Sequence, residues 1–420
     1  MNSLQALRSG RLSGATHVRL CEGLETFPPE LLDLAPTLRI LDLSGNRLSH
    51  LPLDLPRLEN LEILFCSGNR FEHLPEVLGD CLNLEMVGFK SNRIRTVDPT
   101  SLPKRLRWLI LTDNQVDSLP ETLGDRPRLQ KLMLAGNRLC SLPESLRDHG
   151  ALELLRIAAN RLDHIPDWLF SLPKLAWLAT SGNPGSFRGK SSTQPPIPWN
   201  AVSVGDLLGQ GASGETFRAT WEHRPIALKL FKGATTSDGT PDDEMETCLA
   251  AGTHPHLPGV LGRIEGHPEG RHGLAMELLP EGSTVLGNPP DFRSCTRDTY
   301  PAHLRFSPEE IRQVASAVAL ACAHLAAKGI SHGDLYAHNI LVSGARTYLT
   351  DFGAANRWDA TDSLERARWY ALEARAFGCL LDDLAERCGG APPDSLRQLR
   401  DACLDPHPGH RPRVEDWRIE

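Results

Sequence analysis

A solenoid of α/β repeats followed by a separate, compact α+β domain is the fold class predicted by three observations. Asn46, Asn69, Asn92, Asn114, Asn137, Asn160 and Asn183 recur at intervals of 23, 23, 22, 23, 23 and 23 residues. The period stops at Asn183, where a stretch dominated by Gly, Ser and Pro runs to Pro198. Beyond it, five short glycine- and carboxylate-bearing motifs follow in order over roughly 145 residues. A fixed period of this length marks stacked repeats, and a Gly/Ser/Pro stretch without apolar periodicity marks a linker. The expected domains are therefore 1–183, a linker over 184–198, and 199–420.

Each repeat centres on the frame Leu-x-x-Leu-x-Leu-x-x-Asn-x-Leu, most cleanly from Leu38 through Leu41, Leu43 and Asn46 to Leu48. Leu-Pro or Ile-Pro follows in most repeats, as at Leu51-Pro52, Leu74-Pro75 and Ile165-Pro166. This frame resembles the leucine-rich repeat, in which each unit gives one short strand and an irregular or helical return. The leucines point inward, and the asparagines form an internal ladder for backbone groups at the turn. A degenerate unit at Val18–Leu20, with Gly23 in the Asn place, reads as the N-terminal cap. The variable strand positions carry Ile63, Phe65, Met86, Trp108, Ile110, Met133, Leu154 and Trp177. So many apolar groups on a face expected to meet solvent predict an exposed patch that docks a protein partner or substrate. The alternative is that the following domain folds back over it.

In the second domain, Gly209, Gly211 and Gly214 stand in a Gly-x-Gly-x-x-Gly arrangement, which lets backbone approach phosphates closely. By itself this triplet also fits a dinucleotide-binding turn or a plain hairpin. Ile226-Ala227-Leu228-Lys229 follows at the distance of the next strand, and a helix-like stretch after residue 241 offers Glu244, or Glu246, as partner for Lys229. Leu274 to Leu279 reads as a strand with Met276, Glu277 and Leu279 at its end. Residues 331–353 hold Asp334, Asn339 five residues on, and Asp351 twelve beyond that, followed by Phe352-Gly353. A carboxylate to orient a hydroxyl, and an amide and carboxylate to hold metal, are what phosphoryl transfer requires.

In this order the motifs resemble those of protein kinases. The resemblance implies a compact two-lobed fold that takes ATP and Mg. Gly209, Gly211, Gly214, Ala227 and Lys229 with Glu244 would hold the nucleotide, Met276 would be the gatekeeper, and the backbone of Glu277 and Leu279 would bond adenine. Asp334 would be the catalytic carboxylate, with Asn339 and Asp351 on the metal. Departures from the pattern are as informative. Gly333 replaces the Arg usually found before the catalytic Asp, and Tyr336 replaces a common Lys. His338 could supply a phosphate contact, or be a hydrogen-bonded loop histidine. Only 22 residues separate Asp351 from Glu373, the acidic position that anchors the catalytic loop, so the activation segment is much reduced. Arg411 lacks its usual Glu, and Glu365 is the candidate substitute. Residues 280–301 read as a surface loop.

The whole pattern looks like the soluble leucine-rich-repeat kinases of bacteria. That likeness implies phosphorylation of protein serine or threonine, with the repeats recruiting substrate. A pseudokinase scaffold and a small-molecule kinase are the alternatives; retention of Lys229, Asp334, Asn339 and Asp351 opposes the first. A formal net charge of −8 gives no electrostatic case for nucleic acid or anionic membrane. The N-terminus lacks the apolar core of a signal peptide. The longest apolar stretch, residues 315–327, is too short for a bilayer, which needs about 20 residues. Ten cysteines without a Cys-x-x-Cys pair suit reduced thiols and a cytoplasmic setting.

Overall fold

The computed structural model describes residues 3–187, 189, 194–211, 213–233, 236 and 238–419. The middle of the expected linker, at 188 and 190–193, lies outside the described residues. The chain forms two compact units, Met1–Leu155 with Asn160–Pro166, and Arg156–Ala159 with Asp167–Glu420. Residues 156–159 and 167–183, repeat residues by sequence, thus fall in the same unit as the second domain.

A short helix α1 (Leu4–Arg8), capped by Ser3, precedes eight three-residue strands. These are β1 (His17–Arg19), β2 (Ile40–Asp42), β3 (Ile63–Phe65), β4 (Met86–Gly88), β5 (Trp108–Ile110), β6 (Lys131–Met133), β7 (Leu154–Arg156) and β8 (Trp177–Ala179). They form one sheet in chain order, and β1 to β6 pair parallel. The middle residue of each points inward, and Leu41, Leu64, Val87, Leu109 and Leu132 are fully buried. The asparagine ladder works as expected. Asn69 donates to Leu43 O at 2.9 Å in the preceding repeat and to Cys66 O at 3.0 Å in its own, and accepts from Leu48 N at 2.9 Å. Pro75, Pro120 and Pro143 precede single 3₁₀ turns, where their fixed φ suits an extended entry.

The expectation of an exposed apolar face needs correction. Parallel in-register pairing sets Ile63 beside Met86 and Met86 beside Trp108. Strand spacing of about 4.8 Å packs such columns tightly. Ile63 and Met86 are consequently buried, and Leu154 on β7 is buried as well. Phe65, Trp108, Ile110 and Met133 are half-buried. Phe65 meets Trp108 edge-on at 6.5 Å, and Lys131 Nζ lies 4.2 Å from the Trp108 ring centre. Trp177 belongs to the second unit and is only 1% exposed.

The second unit has a sheet lobe and a helical lobe. The strands of the first are β9 (Ile197–Pro198), β10 (Val202–Gln210), β11 (Gly214–Trp221), β12 (Arg224–Phe231), β13 (Val260–Glu265) and β14 (Gly273–Glu277), with helix α2 (Pro241–Ala251) between β12 and β13. The order is β10-β11-β12-β14-β13-β9, antiparallel except where β9 runs parallel to β13. Ile197, at the end of the expected linker, is instead a core residue beside Ile226, Leu228 and Ile264. The helical lobe begins at β15 (Thr284–Val285) and α3 (Pro308–Ala327). Ser307 and Glu310 form a reciprocal cap that starts α3. There follow β16 (Ile330–Ser331), β17 (Ile340–Ser343), β18 (Arg346–Leu349), β19 (Asn356–Arg357), α4 (Ser363–Glu386) and α5 (Asp394–Cys403). Residues 280–301 are not a plain surface loop: Cys295 and Thr296 are fully buried, and Arg297 pairs with Asp382 and Asp383 on α4.

Candidate functional site

β10 and β11 are joined by a tight turn closed by Gly211 N donating to Gly214 O at 2.9 Å. A Cβ on Gly214 would meet Leu230 O at 2.5 Å, so this glycine is fixed by packing against β12. Gly209 and Gly211 have no such neighbour within 4 Å. Along β12, the two-residue period puts Ala227 and Lys229 on one face. Both line a cleft of about 610 Å³, together with Gly209, Gly211, Gly214, Glu244, Met276, Glu277, Leu279 and Asp351. The Glu277 N–H donates to Gly259 O at 2.7 Å, so of that peptide only the carbonyl could bond an adenine.

Thr240 caps α2, whose first turn then carries Glu244 inward. Lys229 Nζ donates to Glu244 Oε1 at 2.5 Å, and Asp351 Oδ1 lies 3.9 Å away. Glu246, the competing candidate, pairs with Arg263 instead. Burial pushes the Glu244 carboxyl up to about 7; Lys229 opposes this and Asp351 adds to it. Lys229 is also raised: burial works against its charge, but Asp351 and then Glu244 outweigh it.

The segment that leaves β16 reaches Asp334, whose Oδ2 accepts from Asn339 Nδ2 at 2.9 Å. The same amide also donates to Asp334 O at 2.9 Å, which leaves its carbonyl oxygen as the atom able to face a cation. Thr350 ties the next segment down by donating its N–H to Asn339 O at 2.8 Å. Asp351 then adopts a left-handed φ of 63° and accepts from Gly353 N at 3.1 Å. Two oxygen donors of this kind, from Asn339 and Asp351, suit Mg, which keeps waters and phosphate oxygens for its remaining positions.

Residues 202–381 match the family model of protein tyrosine and serine/threonine kinases, and residues 37–58 match that of the leucine-rich repeat. The chain joins leucine-rich repeats to a protein-kinase domain. Similar proteins include fibroblast growth factor receptor homolog 1 of Drosophila melanogaster, 28% identical over 40% of this chain and 24% of that protein. Human non-receptor tyrosine-protein kinase TNK1 is 31% identical over 37% of this chain and 23% of its own length. Human kinase suppressor of Ras 2 is 26% identical over 37% of the chain and 15% of that protein. The chain thus spans less than a quarter of the length of these curated relatives. A solved leucine-rich-repeat protein of Leptospira interrogans is 25% identical, with a TM-score of 0.34, over 39% of this chain and 48% of that one. Among the described residues no helix is long and apolar enough to cross a membrane.

In the kinase domain, α4 supports the loop from below. Glu373 accepts the His332 N–H at 3.1 Å. Burial pushes the Glu373 carboxyl up to about 7, against the backbone N–H groups of His332 and Gly333. A carboxyl whose pKa is higher folded than unfolded favours the fold most while it is protonated in both states, below its ordinary value of 4.5. That contribution is lost as pH rises and is gone above about 7. Stability is therefore expected to fall between about pH 5 and about pH 8, by up to ~3 kcal/mol from this group. Glu373→Gln should flatten the fall, which urea midpoints at the two pH values would show.

Two expected partners are replaced. Arg411 donates to Asp405 O, Ala371 O and Pro173 O at 2.9, 3.0 and 2.8 Å, and burial lowers it to about 10. Glu365, one turn into α4, accepts from Asp359 N instead. His338 is held by Asp298, which accepts its N–H at 3.0 Å and meets its Nδ1 at 2.7 Å. Burial opposes the charged form of His338, but Asp298 raises its pKa overall. Spacing does not single out Asp298, which lies 40 positions from His338, as its partner, nor does it pair the loop with two particular residues of the repeat segment. Trp177 stacks on Tyr336 at 4.4 Å and 10°, with Nε1 donating to Leu335 O at 3.2 Å. Arg156, only 2% exposed, pairs with Asp334.

Proposed function

We propose that the chain is an ATP-dependent protein serine/threonine kinase, and that its repeats recruit a protein partner or substrate. The observation that carries this reading is the buried Lys229–Glu244 ion pair, set beside Asp351 in one cleft. ATP with Mg supplies the phosphoryl group when bound. Lys229, oriented by Glu244, neutralises phosphate charge, and the backbone around Gly209 and Gly211 leaves open space for the phosphates to lie against. Asn339 and Asp351 hold the metal. Asp334, its Oδ2 fixed by Asn339, orients the acceptor hydroxyl and takes its proton.

Serine or threonine is favoured over tyrosine because His338, the basic residue available near the acceptor, is committed to Asp298. Recruitment is placed on Phe65, Trp108, Ile110 and Met133, the half-buried part of the apolar face. The test compares wild type with Asp351→Asn for label transfer from γ-labelled ATP with Mg, onto itself and onto a generic basic protein. Phosphoserine or phosphothreonine formed only by wild type is expected. Nucleotide binding without transfer to protein by either would shift the reading to a scaffold, or to a small-molecule kinase if a metabolite mixture takes the label.

A further inference from the structure

Arg156 is an unusual neighbour for a carboxylate assigned to proton transfer. It lies 178 positions before Asp334, yet both belong to the second compact unit. Its guanidinium has three partners on two sides of that unit. Nη2 bonds Asp334 Oδ1 and Nη1 donates to Gly333 O at 3.2 Å, both in the helical lobe. Nε donates to Asp238 Oδ1 at 2.5 Å, in the segment just before α2. That helix carries Glu244. Three donors of one rigid, planar fork therefore tie the Glu244 helix to the loop that holds Asp334.

We infer that Arg156 is a positioning residue, a latch that holds the Glu244 helix and the Asp334 loop in one register. The inference rests on the kinase reading for its catalytic consequence, but the latch itself rests on geometry.

Three features argue for a permanent latch over a brake. Arg156 is almost wholly buried, and each donor that contacts the loops has a fixed acceptor, so nothing in its setting resembles a detachable plug. It occupies one lone-pair direction on Asp334 Oδ1, and a carboxylate oxygen has a second. Finally, position 333 cannot supply a cation itself. Gly333 has a φ of 70°, and a Cβ there would meet Asn356 Nδ2 at 2.8 Å and Leu178 O at 2.9 Å. The cation that pairs with Asp334 Oδ1 comes from outside the loop, at residue 156. Neighbouring contacts fix the approach: Asn356 donates to Leu178 O at 2.7 Å, accepts from Thr180 N at 2.7 Å, and Ser181 Oγ donates to Ala355 O at 2.8 Å.

The test uses the full chain with Arg156→Met and, should that variant fold poorly, Arg156→Lys, which keeps the charge and loses the fork. Two readouts are taken. In steady-state transfer with Mg and ATP, kcat should fall on the order of 100-fold in Arg156→Met, because misplacing a catalytic group by about 1 Å has that effect. The KM for ATP should change less than about threefold, since Asp334 lies outside the nucleotide cleft. Arg156→Lys should remain at least about tenfold below wild type. In hydrogen exchange, amides of 241–251 and of 333–339 should both exchange faster in either variant. An equal or higher kcat in Arg156→Met would make the residue a spectator or a brake, and faster exchange in one segment alone would remove the latch. If wild type transfers no phosphate yet both segments loosen together, the kinase reading fails and the latch stands.

Discussion

Trp177→Ala is expected to destabilise the second unit by about 3–5 kcal/mol, while Trp108→Ala should cost about 1 kcal/mol or less. The sequence makes these two residues equivalent, since both occupy the position before the second frame leucine. Their surroundings differ. The Trp108 ring is half-buried, with Lys131 over one face and Phe65 at its edge. Trp177 is almost fully buried, parallel to Tyr336, and its indole N–H is bonded to Leu335 O. Removing it opens a cavity against the catalytic loop, strips Leu335 O of a donor, and loses a stack worth about 0.5–1.5 kcal/mol beyond its area. Urea unfolding of the two single variants measures the difference directly. Equal midpoints would mean that the loop does not depend on the tryptophan, and that the contact is incidental to folding.

The comparison of these tryptophans shows where sequence stops being informative. Features set by neighbours along the chain are legible. The 23-residue period gives the eight-stranded sheet and the asparagine ladder, because each repeat bonds to the one before it. Alternation along β12 places Ala227 and Lys229 on one face, whereas spacing alone leaves both Glu244 and Glu246 as partners for Lys229. Here the structure turns Glu244 inward and gives Glu246 to Arg263. Features set by distant packing are not legible. Nothing in the spacing around residue 156 distinguishes its arginine from other polar strand residues, although it meets Asp334. Asp298 is equally hidden, since a run such as Ser294–Asp298 carries turn composition whether it is exposed or buried. Glu365 fails as partner of Arg411 for the same reason: three backbone carbonyls, one of them Pro173 O, already fill the guanidinium. The apolar face was readable as a face, but its burial depends on in-register columns that no single repeat reveals.

Asp334→Asn is expected to lower kcat on the order of 10³-fold while changing ATP affinity less than about threefold. The substitution keeps the size of the side chain and an oxygen for Arg156; its NH2 then faces the Asn339 NH2, which keeps its bond to the residue 334 carbonyl to hold the loop. It removes the proton acceptor and one of the two carboxylates that balance Arg156, leaving Asp238 alone. Asp334 does not line the nucleotide cleft, whereas Lys229, Glu244 and Asp351 do. Lys229→Met should therefore behave in the opposite way, weakening ATP binding at least about tenfold as a cation leaves the phosphates and Glu244 loses its partner. Nucleotide titration followed by single-turnover transfer separates the two effects. If Asp334→Asn turns over at the wild-type rate, proton acceptance lies elsewhere and the pairing with Arg156 becomes purely structural. If it binds ATP poorly instead, the loop and the cleft are coupled more tightly than a separate base and phosphate site allow. The expected split, with chemistry lost in one variant and binding in the other, assigns the Asp334 loop and the Lys229–Glu244 pair their distinct tasks.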